Sequence, residues 1–161
     1  MKKIPERVKK FKKKLNDYRR FLKNDHDWDY VFILRLLSFK LKRTRECITE
    51  NNIVLDARKI AKQIQEVETL LNRVDKDCYS EEVLKDFYKK YGQLRMIMAP
   101  KRKRTPTSIP VHFKFAKETP QNHQKINREF IKLRKKADRM RIRDLNRAFD
   151  LMKKHIWGWW D

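Results

Sequence analysis

Only two of the 161 residues are glycine, Gly92 and Gly158. Glycine supplies the left-handed turns, bulges and close backbone approaches on which sheets and phosphate-cradling loops depend. A chain almost without it is directed toward helices, and away from β-rich folds and nucleotide enzymes with a glycine-rich loop. Charged residues make up 40% and hydrophobic residues another 40%. That mixture suits amphipathic helices with a narrow buried stripe and a charged exterior. The expectation is an all-α fold, a bundle of about five helices in one domain.

The spacing of apolar residues predicts where the helices run. Pro5 is preorganised for a first turn, and Val8, Phe11, Leu15, Tyr18 and Leu22 follow at steps of three and four. Asp27 is the expected N-cap of a second helix carrying Trp28, Val31, Phe32, Leu34, Leu37, Leu41 and Ile48, with a stop at Asn51-Asn52. Asp56 is the expected cap of a third, whose stripe Ala57, Ile60, Ile64, Val67, Leu71 and Val74 repeats without error. The second and third helices, joined by a short loop, should form a central antiparallel hairpin. Ser80 is the expected cap of a fourth, with Leu84, Phe87, Tyr88, Tyr91, Leu94 and Met98 in line up to Pro100, and with Gly92 in mid-helix, unfavourable there and a mark of a kink or of a close approach by a neighbour.

Residues 100–120 hold four prolines and the alternating Val111, Phe113 and Phe115, an extended segment near 111–115 expected to cross the helices without a partner strand. Thr119 and Pro120 should open a final helix running to about His155, roughly 50 Å long at about 1.5 Å per residue.

Charge is distributed by segment. The chain carries a net +22. The N-terminal helix, residues 1–24, holds 11 basic and 2 acidic side chains; residues 25–100, the helical core, hold 14 and 13; the remaining 61 residues hold 18 and 6. This last part divides into a basic proline-containing loop, 101–119, and a long basic helix with a tryptophan-rich tail, 120–161. Self-repulsion of this size costs folding free energy. A near-neutral middle with cationic ends is the pattern of a scaffold for a polyanion.

Three groups of cations are the candidate nucleic-acid contacts. On a helical wheel Arg128, Lys132, Lys135, Arg139 and Arg143 share a face opposite Ile126, Phe130, Leu133, Ala137 and Met140, and Arg134, Lys136, Arg141 and Arg147 widen it. A row of cations at turn spacing can follow a phosphate backbone. Lys101, Arg102, Lys103 and Arg104 form a tetrad in the loop, and Lys12 and Lys13 stand on the first helix. A solvated charged face is the bland alternative, though such faces normally mix signs.

In the tail, Trp157, Trp159 and Trp160 are candidates for binding a partner, for stacking on bases, or for folding back to seal the core. The run Asp25-His26-Asp27-Trp28-Asp29 has metal-ligand types but is better explained as helix capping. No metal, cofactor or catalytic constellation is expected. The longest uncharged apolar run, Tyr30–Leu34, is far too short to cross a bilayer, and no secretory apolar segment follows the basic N-terminus. The narrow stripe of the first helix leaves membrane contact disfavoured. Cys47 and Cys78 lack metal spacing and fit reduced thiols in a cytoplasmic protein.

Several residues together resemble a group of small basic proteins of tailed bacteriophages. They are the Asp27-Trp28-Asp29-Tyr30 box, the Asp56–Gln63 helix start, the Tyr91-Gly92 step and the closing Gly158-Trp159-Trp160-Asp161. The resemblance spans most of residues 27–98 and the last dozen. It implies a phage product in the cytoplasm of the bacterial host, and no particular activity.

The expected function is therefore non-enzymatic binding of nucleic acid, RNA favoured, or of a host ribonucleoprotein. In a phage this would include anti-CRISPR inhibition, by holding the guide RNA of a CRISPR nuclease or occupying its RNA channel. The alternatives are a virion-structural or genome-packaging protein that neutralises DNA, and a host-takeover factor that binds an acidic host protein.

Overall fold

The computed structural model describes residues 5–23, 30–51, 53–98 and 111–159. They form an all-α helical bundle with one small antiparallel sheet. The elements are α1 (Glu6–Leu22), α2 (Tyr30–Asn51), α3 (Ala57–Asp75), α4 (Cys78–Tyr91), β1 (Leu94–Met98), β2 (Val111–Phe115), α5 (His123–His155) and a closing 3-10 turn, Trp157–Trp159.

The central hairpin forms as expected. The α3 stripe is buried at Ala57, Ile60, Ile64, Val67 and Leu71, and α2 supplies Leu34, Leu41 and Ile48 to the same core. Cross-links between the two helices run in opposite directions along the chain. Arg35 bonds Asp75 at 2.7 Å, Ser38 bonds Asn72 at 3.2 Å, and Arg45 grips both oxygens of Glu68 at 2.9 and 3.3 Å. Glu68 is buried, so the paired guanidinium offsets its desolvation.

α5 is the spine of the molecule. Its C-terminal half closes the first core through Ala148, Leu145, Leu151 and Met152. Its N-terminal half closes a second core, where Ile126 meets Leu84, Phe87 and Tyr91 of α4 and Phe115 of β2. Phe87 touches the rings of Tyr91, Phe115 and Phe130, with centroids 4.9, 5.1 and 5.6 Å away. Between the cores, Asp144 is buried. It accepts the Tyr79 hydroxyl at 2.9 Å and faces Arg73 at 3.0 Å. Burial, then the bond to Asp144, drives the Tyr79 phenol far above its ordinary range.

The structure corrects several local expectations. α4 does not continue to Pro100. It ends at Tyr91, and Gly92 takes φ 78, ψ 173, a conformation open almost only to glycine. The residues expected to prolong the helix instead form β1, which pairs with β2 in the register Leu94↔Phe115, Met96↔Phe113 and Met98↔Val111. The segment near 111–115 is extended as expected, but it has a partner strand. The last helix begins at His123, not at Pro120, because the Asn122 side chain closes a turn by accepting the Thr119 N–H at 2.7 Å.

Two expected caps behave differently. Side-chain capping needs an extended backbone, whereas Asp56 is left-handed, with φ 62, and makes no side-chain cap. Ser80 lies inside α4, which starts at Cys78. Its hydroxyl donates to Asp77 Oδ2 at 2.9 Å. The Asp27 cap and the Asp25–Asp29 cluster fall outside the described residues.

α1 also departs from expectation. Its stripe was to be buried, yet Val8, Phe11, Leu15 and Leu22 are exposed. The helix is held near its end, where Tyr18 and Phe21 meet Phe39 at 5.2 and 4.6 Å and Asp17 receives Arg43 at 2.7 Å.

Candidate nucleic-acid interface

The outer face of α5 is defined by what its inner face consumes. Ile126, Ala137 and Ala148 are buried, and Phe130, Leu133 and Met140 are half-buried. This fixes the rotation of the helix and turns Arg128, Lys132, Lys135, Lys136, Arg139, Arg143 and Arg147 to solvent. Three of the helix's carboxylates are engaged nearby. Glu129 accepts the Tyr91 hydroxyl at 2.8 Å and pairs with Lys90 at 3.6 Å. Asp144 serves Tyr79 and Arg73. Asp138 pairs with Arg141 at 2.7 Å. In the N-terminal half of the helix the acids are drawn into contacts while the ridge cations are left outside.

The ridge has two parts. Arg128, Lys132, Lys135, Lys136 and Arg139 make no ion pair among the described residues, and Arg139 donates only to the Lys135 carbonyl, at 3.3 Å. Further along, Arg143 lies 3.6 Å from Asp144 and Arg147 is 2.5 Å from Glu66 of α3. These two are partly committed to the bundle. An open depression in this second part is lined by Arg139, Ile142, Arg143, Arg147 and Lys154, with the acidic Asp150 among them.

The remaining candidates are scattered. Lys12 and Lys13 are exposed on α1. The side-chain contacts of α1 run to α2 and those of α5 to α3, α4, β2 and the turns beside them, so no described contact joins the two basic elements. Lys101, Arg102, Lys103, Arg104 and Trp160 lie outside the described residues. The other two tail tryptophans part company. Trp159 is 2% exposed and donates its indole N–H to Gln63 at 3.2 Å. It seals the first core and is not free to meet a partner. Trp157 is 84% exposed.

Sequence reasoning missed the apolar residues that border the ridge. Ile131, Ile142 and Phe149 are exposed on α5, and their spacing of eleven and seven residues sets them on one line of the helix. It also missed Glu118, which accepts the Phe115 N–H at 2.9 Å and faces His123. Burial pushes that carboxyl up, but the bonds from His123 and Phe115 outweigh it and hold it below its ordinary value.

Among the described residues no cluster of three or more histidine, cysteine or acidic side chains could hold a metal, and no helix is long and apolar enough to cross a membrane. Both cysteines are free. No family model matches the chain, and the searches of curated proteins and of solved structures found no match.

Proposed function

We propose that this chain is a non-enzymatic binding protein that engages nucleic acid, RNA favoured, through the outer face of α5. The observation that carries the reading is one face of exposed cations, Arg128, Lys132, Lys135, Lys136 and Arg139, that have no carboxylate partner among the described residues. Held on one rigid helix, they cover about 17 Å at roughly 1.5 Å per residue. Such a row repels itself in the free protein and is neutralised by a phosphate backbone, with release of condensed counterions. Arginine adds bidentate phosphate contact and stacking on bases. RNA is favoured because the sequence has no helix-turn-helix signature for reading duplex DNA, whereas arginine-rich helices suit structured RNA.

In the phage setting that the resemblance implies, the same surface would act on a host ribonucleoprotein, a CRISPR nuclease with its guide RNA, in the bacterial cytoplasm. Binding of a labelled RNA hairpin, followed by fluorescence anisotropy, tests the core of the reading. Lys132→Glu with Lys135→Glu and Arg139→Glu should weaken binding at least about a hundredfold, since each reversal turns an attraction into a repulsion. Unchanged affinity in a folded triple variant would refute it.

A further inference from the structure

Helix α1 leaves most of its apolar stripe outside. It meets α2 through Tyr18 and Phe21, which pack on Phe39, through Asp17, which receives Arg43 at 2.7 Å, and along a groove that Lys10, Lys13 and Lys14 share with Glu46 and Glu50. The apolar side, Val8, Phe11, Leu15 and Leu22, faces solvent, with Phe11 63% and Leu15 57% exposed. On a wheel of about 3.6 residues per turn, Lys12 and Arg19 border that stripe on one side, and Arg7 and Lys14 border it on the other. All four are exposed.

Among the described residues nothing covers these four large apolar side chains, which stand in a row in water. We propose that α1 lies flat on an anionic lipid surface, sinking Phe11 and Leu15 below the headgroups while Arg7, Lys12, Lys14 and Arg19 meet the headgroup phosphates. The two rows together select this occupant. A nucleic-acid backbone answers the cations but offers the stripe nothing. A second copy of the chain answers the stripe but brings two cationic borders together. An anionic bilayer answers both, and a basic amphipathic helix with an outward apolar face is the form that partitions into its interface. Because its named contacts lie near its C-terminal end, α1 can present its first three turns without disturbing the cores.

A chain of net +22 coats any anionic surface to some degree, so the test must preserve charge. The full chain is floated with vesicles of phosphatidylglycerol and phosphatidylcholine, beside a Phe11→Ser, Leu15→Ser double variant that keeps every cation. Both side chains are already exposed, so the variant should melt at the same temperature. The expected result is that the parent stays on the vesicles at about 0.5 M salt, where screening is strong, and that the variant partitions at least about tenfold more weakly. Failure of the parent to bind would overturn the proposal, as would equal release or equal retention of the two proteins. So would a parent that is dimeric in solution beside a monomeric variant, because the stripe would then belong to a second copy.

Discussion

Replacing Gly92 with alanine should destabilise the protein, and the sign of the effect is itself informative. In mid-helix, where the spacing of Leu94 and Met98 with Tyr91 puts it, glycine is unfavourable and alanine would stabilise by about 1 kcal/mol. In the structure Gly92 has φ 78, ψ 173, and a Cβ added there would stand 2.6 Å from the Cβ of Ala116. The backbone conformation alone costs a non-glycine residue about 1–3 kcal/mol, and the overlap adds on the order of 1 kcal/mol. Gly92→Ala should therefore lose roughly 2–4 kcal/mol. Urea unfolding followed by far-ultraviolet circular dichroism measures this as a shift in midpoint at constant slope. Ala116→Gly in the same background should recover the overlap but not the backbone cost, so a double-mutant cycle separates the two. A neutral or stabilising Gly92→Ala would refute the turn between α4 and β1.

Three further outcomes follow from the buried contacts. Trp159→Ala should cost about 3–5 kcal/mol and Trp157→Ala less than about 0.5 kcal/mol in thermal unfolding, because one ring fills the core and the other stands in water. Asp144→Ala should cost about 1–3 kcal/mol, since it orphans the buried Tyr79 hydroxyl, and Tyr79→Phe in that background should recover part of the loss. Glu118 has a carboxyl held below its ordinary value near 4.5 in the fold. Its contribution is complete above that value and is lost as the pH falls through the lower, folded one. Glu118→Gln should flatten stability against pH in the acid range below about 4.5 and reduce stability above it, measured by urea midpoints at several pH values.

The elements legible in the sequence are those whose pattern is set locally. The stripe of α3 repeats through its whole length, and burial follows it residue by residue. The rotation of α5 was readable because Ile126, Leu133 and Ala137 share a face, and the ridge opposite them came with it. The β1–β2 pair was hidden because Leu94 and Met98 keep helical spacing with Phe87 and Tyr91. The helix breaks at Gly92, where the positive φ and the close approach of Ala116, distant in sequence, both call for a glycine. Asp144 and Glu68 read as surface acids, since their partners Tyr79, Arg73 and Arg45 lie far away in sequence. The outward mounting of α1 was not legible either: a stripe shows which residues could be buried, and the packing of Tyr18, Phe21 and Asp17 on α2 decides which are. For the site, spacing gave the cations, but only the positions of Glu66, Asp138 and Asp144 show which of them are already paired.

The central claim is that Arg128, Lys132, Lys135, Lys136 and Arg139 of α5, which have no carboxylate partner among the described residues, meet phosphates. The most direct measurement is the salt dependence of RNA affinity for the parent and for a variant with Arg128, Lys132, Lys135, Lys136 and Arg139 all changed to glutamine. Each lost phosphate contact removes about 0.7–0.9 from the slope of log affinity against log salt. The account predicts that the variant's slope is shallower by about 4 while its thermal midpoint is no lower. Parallel slopes for the two proteins would contradict it.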